Sequence, residues 1–246
     1  MSKKGKTYIG TSGWHYKHWK GPFYPEDIEH DRMLSFYKDR LHTVEINNSF
    51  YQLPDEKTLK AWMNESPKDF IFSIKGSRYI THMKKLKDPK QSLDSFLRRV
   101  KLIKKKLGCI LFQLPPRWGV NPERLEQFLM TLPEKFRYAF EFRDESWFNR
   151  RVLHLLEKHN CAFCIYQIAG RKSPKQVTAD FIYIRLHGPG RNAYQGEYSK
   201  RELSGWAGAI NTWINMGKDV YCYFDNDQNG YAPNDALKLQ KMISAT

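Results

Sequence analysis

The stretch Thr43-Val44-Glu45-Ile46-Asn47-Asn48-Ser49-Phe50-Tyr51 reads as a buried strand with charge set into it. Strand side chains alternate between faces, so Val44 and Ile46 share one face while Glu45 and Asn47 share the other. The same design recurs downstream. Ser73 and Lys75 alternate with Phe72 and Ile74, Glu141 and Arg143 with Phe140 and Phe142, and Arg185 and His187 with Ile184 and Leu186. Asp225 and Asp227 alternate less regularly with Phe224. Five strands therefore send polar or ionisable side chains to one face near their C-terminal ends. That pattern requires a polar cavity, and strand C-termini are where α/β proteins build their sites.

Working outward, eight strand-like runs occur, at 7–13, 43–50, 70–75, 109–114, 138–143, 161–168, 181–187 and 219–225. Helical spacing of apolar residues fills most of the gaps, at 34–40, 55–64, 91–106, 151–159, 199–216 and 236–243. A further helix opens at Asn121-Pro122-Glu123, an N-cap followed by a first-turn proline and an acid. The segment 169–179 has no strong helical pattern. Alternating strands and helices imply parallel pairing with right-handed crossovers. Eight such units in 246 residues predict an α/β chain folded as a single (β/α)8 barrel of the TIM type, with one degraded or irregular helix after strand six. Residues 1–246 form one domain in this reading, with the barrel from about 7 to 244 and 1–6 as a basic N-terminal tail. An open doubly wound sheet is the alternative. It would want a G-x-G-x-x-G loop after the first strand, and Gly10-Thr11-Ser12-Gly13 is not one.

Composition narrows the function. The net charge of +15 favours nucleic acid, phosphorylated ligands or other anionic partners, although a basic solvated surface gives the same sum. No apolar run is long enough for a membrane span and no apolar signal core follows the N-terminus, so the expectation is a cytoplasmic protein with no membrane partner. The four cysteines lie in apolar runs and read as buried thiols. Cys161 and Cys164 sit three apart in a strand, on opposite faces, which suits no shared metal.

Several blocks together resemble a known family. They are Ile9-Gly10-Thr11-Ser12-Gly13-Trp14 with Trp19, the 43–51 stretch, Phe72-Ser73-Ile74-Lys75, Ile80-Thr81-His82, and 107–116. Phe140-Glu141-Phe142-Arg143 with Ser146-Trp147, Tyr183 to Gly188, and Tyr223 to Asp227 complete the set. The chain resembles the YecE-like family, also called the domain of unknown function 72, from about Tyr8 onward. The resemblance implies a TIM-type barrel and supplies no reaction. It also implies Asn where this chain carries Asp225.

The candidate chemistry must come from the residues. Glu45, Glu141 and His187 are the catalytic candidates, because two carboxylates in unlike environments with a histidine can divide acid and base work. Lys75, Arg143 and Arg185 are candidate anion ligands, the arginines by bidentate contact. Trp14, Asn47, Tyr51, His82, Gln113, Asn226 and Asp227 complete the candidate ligand-binding set. Trp14 belongs to an aromatic cluster after strand one that could stack on bases or sugars, or fold back to plug the barrel. Metal binding by Glu45, Glu141, His187 and Asp227 is a weaker alternative, since three cations compete for those carboxylates; the expectation is no metal and no cofactor. A dense basic tract runs through Lys84, Lys85, Lys87, Lys90, Arg98, Arg99, Lys101, Lys104, Lys105 and Lys106. It could follow a polyphosphate backbone or be a solvated helix face. The expected partner is a phosphorylated or sugar-containing small molecule, handled by a hydrolase or lyase. DNA or RNA binding without catalysis and a metal-dependent phosphodiesterase or sugar isomerase are the rivals.

Overall fold

The computed structural model describes residues 3–244. Eight parallel strands close on themselves: β1 (Thr7–Ser12), β2 (Thr43–Ile46), β3 (Ile71–Lys75), β4 (Leu107–Gln113), β5 (Tyr138–Glu141), β6 (Ala162–Ile168), β7 (Phe181–Leu186) and β8 (Asp219–Phe224). Each pairs with its sequence neighbours, and β8 pairs with β1 through Thr7↔Val220 to Thr11↔Phe224, which closes the barrel. Outside it lie α1 (Met33–Lys38), α2 (Glu56–Glu65), α3 (Lys90–Val100), α4 (Pro122–Leu129), α5 (Arg150–Lys158), α6 (Lys200–Asn215) and α7 (Tyr231–Ser244). Among the described residues no helix joins β6 to β7. Arg171–Lys172 instead turns back antiparallel onto β6. This is the expected TIM-type barrel with its irregular sixth crossover.

The period of two in each strand sorts the side chains. Outward residues such as Val44, Ile74, Phe112, Phe140, Ile184 and Phe224 are buried against the helices in one apolar cluster. Inward residues fill the barrel. Cys109, Leu111, Ala139, Ala162, Phe181 and Tyr221 make its apolar lower part. Above them the filling turns polar: Thr43 Oγ1 lies 2.8 Å from the Tyr223 hydroxyl, which donates to Ser73 Oγ at 2.9 Å. The uppermost inward positions carry the charged residues. Polarity thus rises from bottom to top, and the burial of large apolar and aromatic side chains below supports the charge above.

The main departures from the sequence expectation begin with the 43–50 run, where β2 ends at Ile46 and Asn48–Phe50 winds as a 3₁₀ turn, so Asn47 leaves the strand alternation. The helix expected over 91–106 stops at Val100, and Lys101–Lys106 continues as a 3₁₀ segment. That tightening turns Lys106 inward, where its ammonium donates to Met63 O, Ser66 O and Ser66 Oγ at 2.6–2.8 Å. Lys106 is therefore buried, unlike the rest of the basic tract. The helix expected over 236–243 begins five residues earlier, at Tyr231. Pro233 is tolerated there because the first turn has no intrahelical acceptor for its N–H. The run 138–143 pairs only as far as Glu141, although Phe142 and Arg143 keep the alternation.

Gly188 ends β7 at φ +106°, and a Cβ there would fall 2.2 Å from Gln195 O. Its N–H donates to the Tyr198 hydroxyl, which ties the returning loop to the strand end. Gly188→Ala should therefore cost about 1–3 kcal/mol in urea denaturation, from backbone strain and the clash together.

Candidate functional site

Arg185, the third inward residue of β7, is the centre of the barrel mouth. Its guanidinium is buried and spends its donors on protein oxygens. Nη2 donates to Glu45 Oε1 at 2.8 Å, to Ser12 Oγ at 3.1 Å and to Asp225 Oδ2 at 3.2 Å. Nε adds Glu45 Oε1 at 3.1 Å, and Nη1 reaches Glu141 Oε2 at 2.9 Å and, at 3.4 Å, His187 Nε2. Glu45 also accepts from the Tyr183 hydroxyl at 2.6 Å and from Ser12 Oγ. One cation thereby links β1, β2, β5, β7 and the residue after β8. Charge-assisted bonds of this kind are strong, and the ion survives burial because every donor is used.

A second chain of contacts runs beside it. His187 Nδ1 lies 2.9 Å from Asp225 Oδ2, and its Nε2 lies 3.1 Å from Arg143 Nη2. An arginine can only donate, so Nε2 is the acceptor and Nδ1–H donates to Asp225. Burial, with Arg185 and Arg143 nearby, pushes His187 down to about 4, so the ring is neutral at neutral pH. Arg143 Nε donates to Glu141 Oε1. Burial pushes the Glu141 carboxyl up, but Arg143 and Arg185 outweigh it and hold the group below its ordinary value. Asp225 is likewise held low, burial being overcome by the His187 hydrogen bond and the Arg185 charge. A carboxylate held this firmly ionised cannot serve as a general acid, which removes Glu141 from that role.

Lys75 is the exception. It is the last inward residue of β3 and keeps 7% of its surface. Among the described residues its ammonium makes no hydrogen bond or ion pair. It sits 4.3 Å from the centroid of the Phe50 ring. Burial and Arg185 push its pKa down to about 8, against the opposing pull of Glu141, Glu45 and Asp225. The reason is arithmetic. Three cations, Lys75, Arg143 and Arg185, face three carboxylates, Glu45, Glu141 and Asp225, and the two arginines take up the carboxylate oxygens.

The other expected site residues scatter. Arg185 is corrected from ligand clamp to internal hub, since its donors are committed. Trp14 is 3% exposed and packs edge-on against Trp62 of α2, and its loop folds back so that it lines, with Asn47, a recess of about 170 Å³. Asn226 is buried, and its amide donates to Asp235 Oδ2 and Gly196 O, tying the β8 end to α7. Asp227 leaves the cluster because the chain turns helical there, and it pairs with His18 at 3.6 Å. The four groups of the metal alternative therefore do not converge, and among the described residues no three His, Cys, Asp or Glu side chains are placed to share an ion. Asn47 lines that recess between the β1 and β2 loops. His82 stands edge-on to Phe50 at 4.9 Å, with its pKa pushed down to about 4 by burial and by Lys75. Gln113 is half-buried and level with Glu141 in the sheet. Tyr51 is 81% exposed.

Sequence reasoning passed over Asp225 in favour of Asp227, and passed over Ser12, Tyr183 and Tyr194. The signal for two of them was present. Tyr221, Tyr223 and Asp225 continue one inward register, as do Tyr183, Arg185 and His187. Tyr194 had none: its ring meets His187 edge-on at 5.5 Å only because the loop returns from Gly188.

Two stability predictions follow from these charges. Arg185→Met should destabilise the fold by about 3–5 kcal/mol, because it leaves carboxylates buried without their counter-ion. A denaturant titration at pH 7 reads it. Glu141, Asp225 and His187 all have folded pKa values below their unfolded ones, so the unfolded chain binds more protons in acid. Stability should be full above pH about 6.5 and fall as pH drops through about 4. Melting temperature against pH checks this, and an acid limb no steeper than that of His187→Gln would show that His187 contributes nothing to it.

Comparison with known proteins agrees with the fold and leaves the chemistry open. UPF0759 protein YunF of Bacillus subtilis (strain 168) is 23% identical over 96% of this chain and 94% of its own. The crystal structure of a DUF72 family protein from Thermotoga maritima MSB8 superposes with a TM-score of 0.86 at 28% identity, covering 97% of this chain and 99% of that one. D-psicose 3-epimerase from Clostridium cellulolyticum H10 shares the barrel alone, with a TM-score of 0.55 at 9% identity over 98% of this chain and 91% of that one. Residues 8–246 match the family described as "Protein of unknown function DUF72", and the chain belongs to that family.

Proposed function

We propose that the barrel mouth binds a small anionic ligand, a phosphorylated or carboxylated sugar-like compound, through Lys75 and Arg143. The observation that carries this is the ammonium of Lys75, nearly buried, over the Phe50 ring, and without a hydrogen-bond or ion-pair partner among the described residues. A desolvated cation is costly to keep, and an incoming phosphate or carboxylate oxygen would repay part of that cost. Arg143 supports the same reading. Its Nε and Nη2 are engaged, whereas Nη1 makes no hydrogen bond among the described residues. Both cations act on Glu141 and on His82, so they flank one region. Within it the His187–Asp225 pair is the acid–base candidate. If the ligand draws Arg143 away, the Nε2 lone pair keeps only the longer 3.4 Å contact from Arg185 Nη1 and becomes easier to protonate. In this reading Glu45 and Glu141 act through Arg185 and Arg143, as positioning residues.

A second reading has its own support. Lys84, Lys85, Lys87, Lys90, Arg98, Arg99, Lys101, Lys104 and Lys105 are all exposed. Tyr51 and Tyr79 are 81% and 45% exposed, and the Lys84 ammonium lies 5.8 Å from the Tyr79 ring centroid. Exposed rings beside a basic strip suit a single-stranded nucleic acid, whose binding would fall steeply with salt.

Isothermal titration with inorganic phosphate, dihydroxyacetone phosphate and a short oligonucleotide separates the two. The small-anion reading predicts phosphate-ester binding that weakens at least tenfold in Lys75→Met and in Arg143→Met and tightens in Asp225→Asn, which removes one negative charge. Oligonucleotide binding that ignores all three variants and disappears on reversing Lys104 and Lys105 would favour the second reading. Lys75→Met should also raise stability by about 1–3 kcal/mol at neutral pH. A folded pKa below the unfolded one makes the lysine a cost below pH about 8 that vanishes above about 10.5. A melting temperature lowered by Lys75→Met would contradict the unpartnered cation.

A further inference from the structure

We propose that Lys75 is a nucleophile that forms an imine with the carbonyl carbon of a sugar-like or keto-acid ligand, an assignment that rests on the small-anion reading above and adds covalent chemistry to it. Three features of the geometry point there. The amine ends an inward strand position at the C-terminal face, where a ligand enters a barrel of this type. Its nitrogen is positioned over the Phe50 ring at 4.3 Å from the centroid, a cation–π contact, and Phe50 is itself braced by the His82 ring on its edge. The carboxylates that would ordinarily pair with a buried lysine are taken by Arg185 and Arg143. No salt bridge therefore has to be broken before the nitrogen lone pair can be used.

Desolvation beside another cation is one of the ways a lysine amine becomes reactive. With its pKa pushed to about 8 by burial and by Arg185, Lys75 holds on the order of a hundredfold more neutral amine at pH 7.5 than an exposed lysine. His187, oriented by Asp225, lies in the same cluster and would take up a proton once its Nε2 is released by the arginines.

The step balances without a further reactant. The Nζ lone pair bonds to the carbonyl carbon, and the C=O π pair moves onto oxygen, which takes a proton. The nitrogen then gives up one proton, giving a neutral carbinolamine. Its hydroxyl takes a proton and leaves as water while the nitrogen lone pair forms C=N. Amine, carbonyl and one proton from solvent become iminium and water. No oxidant or reductant takes part.

Competitive labelling tests this. The folded chain is treated at pH 7.5 with limiting glycolaldehyde and sodium cyanoborohydride, which reduces each imine to a stable secondary amine. Peptide mapping then gives the rate at every lysine. Lys75 should label at least tenfold faster than exposed lysines such as Lys84 and Lys104, with a half-maximal rate near pH 8. Dihydroxyacetone phosphate should give one adduct per chain, on Lys75, absent in Lys75→Arg, whose fold is checked by circular dichroism. A Lys75 rate equal to or below that of the exposed lysines overturns the assignment. If dihydroxyacetone phosphate still binds by calorimetry in that case, the anion site stands and only the covalent step falls. If it neither binds nor labels, both fall.

Discussion

A guanidinium buried in the mouth of a barrel has to be neutralised, and Arg185 imposes that requirement on four neighbouring chain segments. Ser12, Glu45, Glu141 and Asp225 all turn to it from different strand ends. The cost of burying one ion is offset only if each of these partners stays in place. The strand registers around the mouth are therefore coupled to one another through a single side chain. The middle of the barrel serves the same end, since Tyr183 holds Glu45 from below while Tyr223 links Thr43 and Ser73.

The same constraint distributes chemical roles. The two arginines consume the carboxylate oxygens, so Glu45 and Glu141 become fixed anions and Lys75 is left without a counter-ion. His187 is kept neutral and oriented by Asp225 on one side and Arg143 on the other. In the proposed function, a lysine with no hydrogen-bond or ion-pair partner receives the anion beside a neutral histidine held by a carboxylate. The network rests near charge balance, and the entering ligand would meet Lys75 and the uncommitted Arg143 nitrogen first.

Much of this was legible in the sequence, for physical reasons. A buried strand that faces both helices and a polar lumen must alternate apolar and polar residues. Phe72-Ser73-Ile74-Lys75 and Ile184-Arg185-Leu186-His187 therefore announce their faces, and the strand count announces the barrel. The pairing of charges was less legible. Periodicity places Lys75, Arg143 and Arg185 in one lumen but cannot say which cation takes which carboxylate, because that depends on side-chain reach across the barrel. Asp227 was misplaced because the period of two ends where the backbone turns after Phe224. The burial of Trp14 was not legible because its loop folds back onto Trp62, a contact set by α2 and not by local sequence. Lys106 shows the limit of a charge run: it follows exposed lysines in sequence yet is turned inward by a 3₁₀ turn.

The proposed site rests on Lys75 being a desolvated cation with no hydrogen-bond or ion-pair partner among the described residues. It is tested most directly by heteronuclear NMR titration of the chain carrying labelled lysine side chains, with Lys75→Arg to assign the resonance. The account predicts one lysine titrating near pH 8, lost in the variant and moved to higher pH when a phosphate ester is added. A Lys75 signal titrating with the exposed lysines near the ordinary value of about 10.4, and unmoved by the anion, would contradict it.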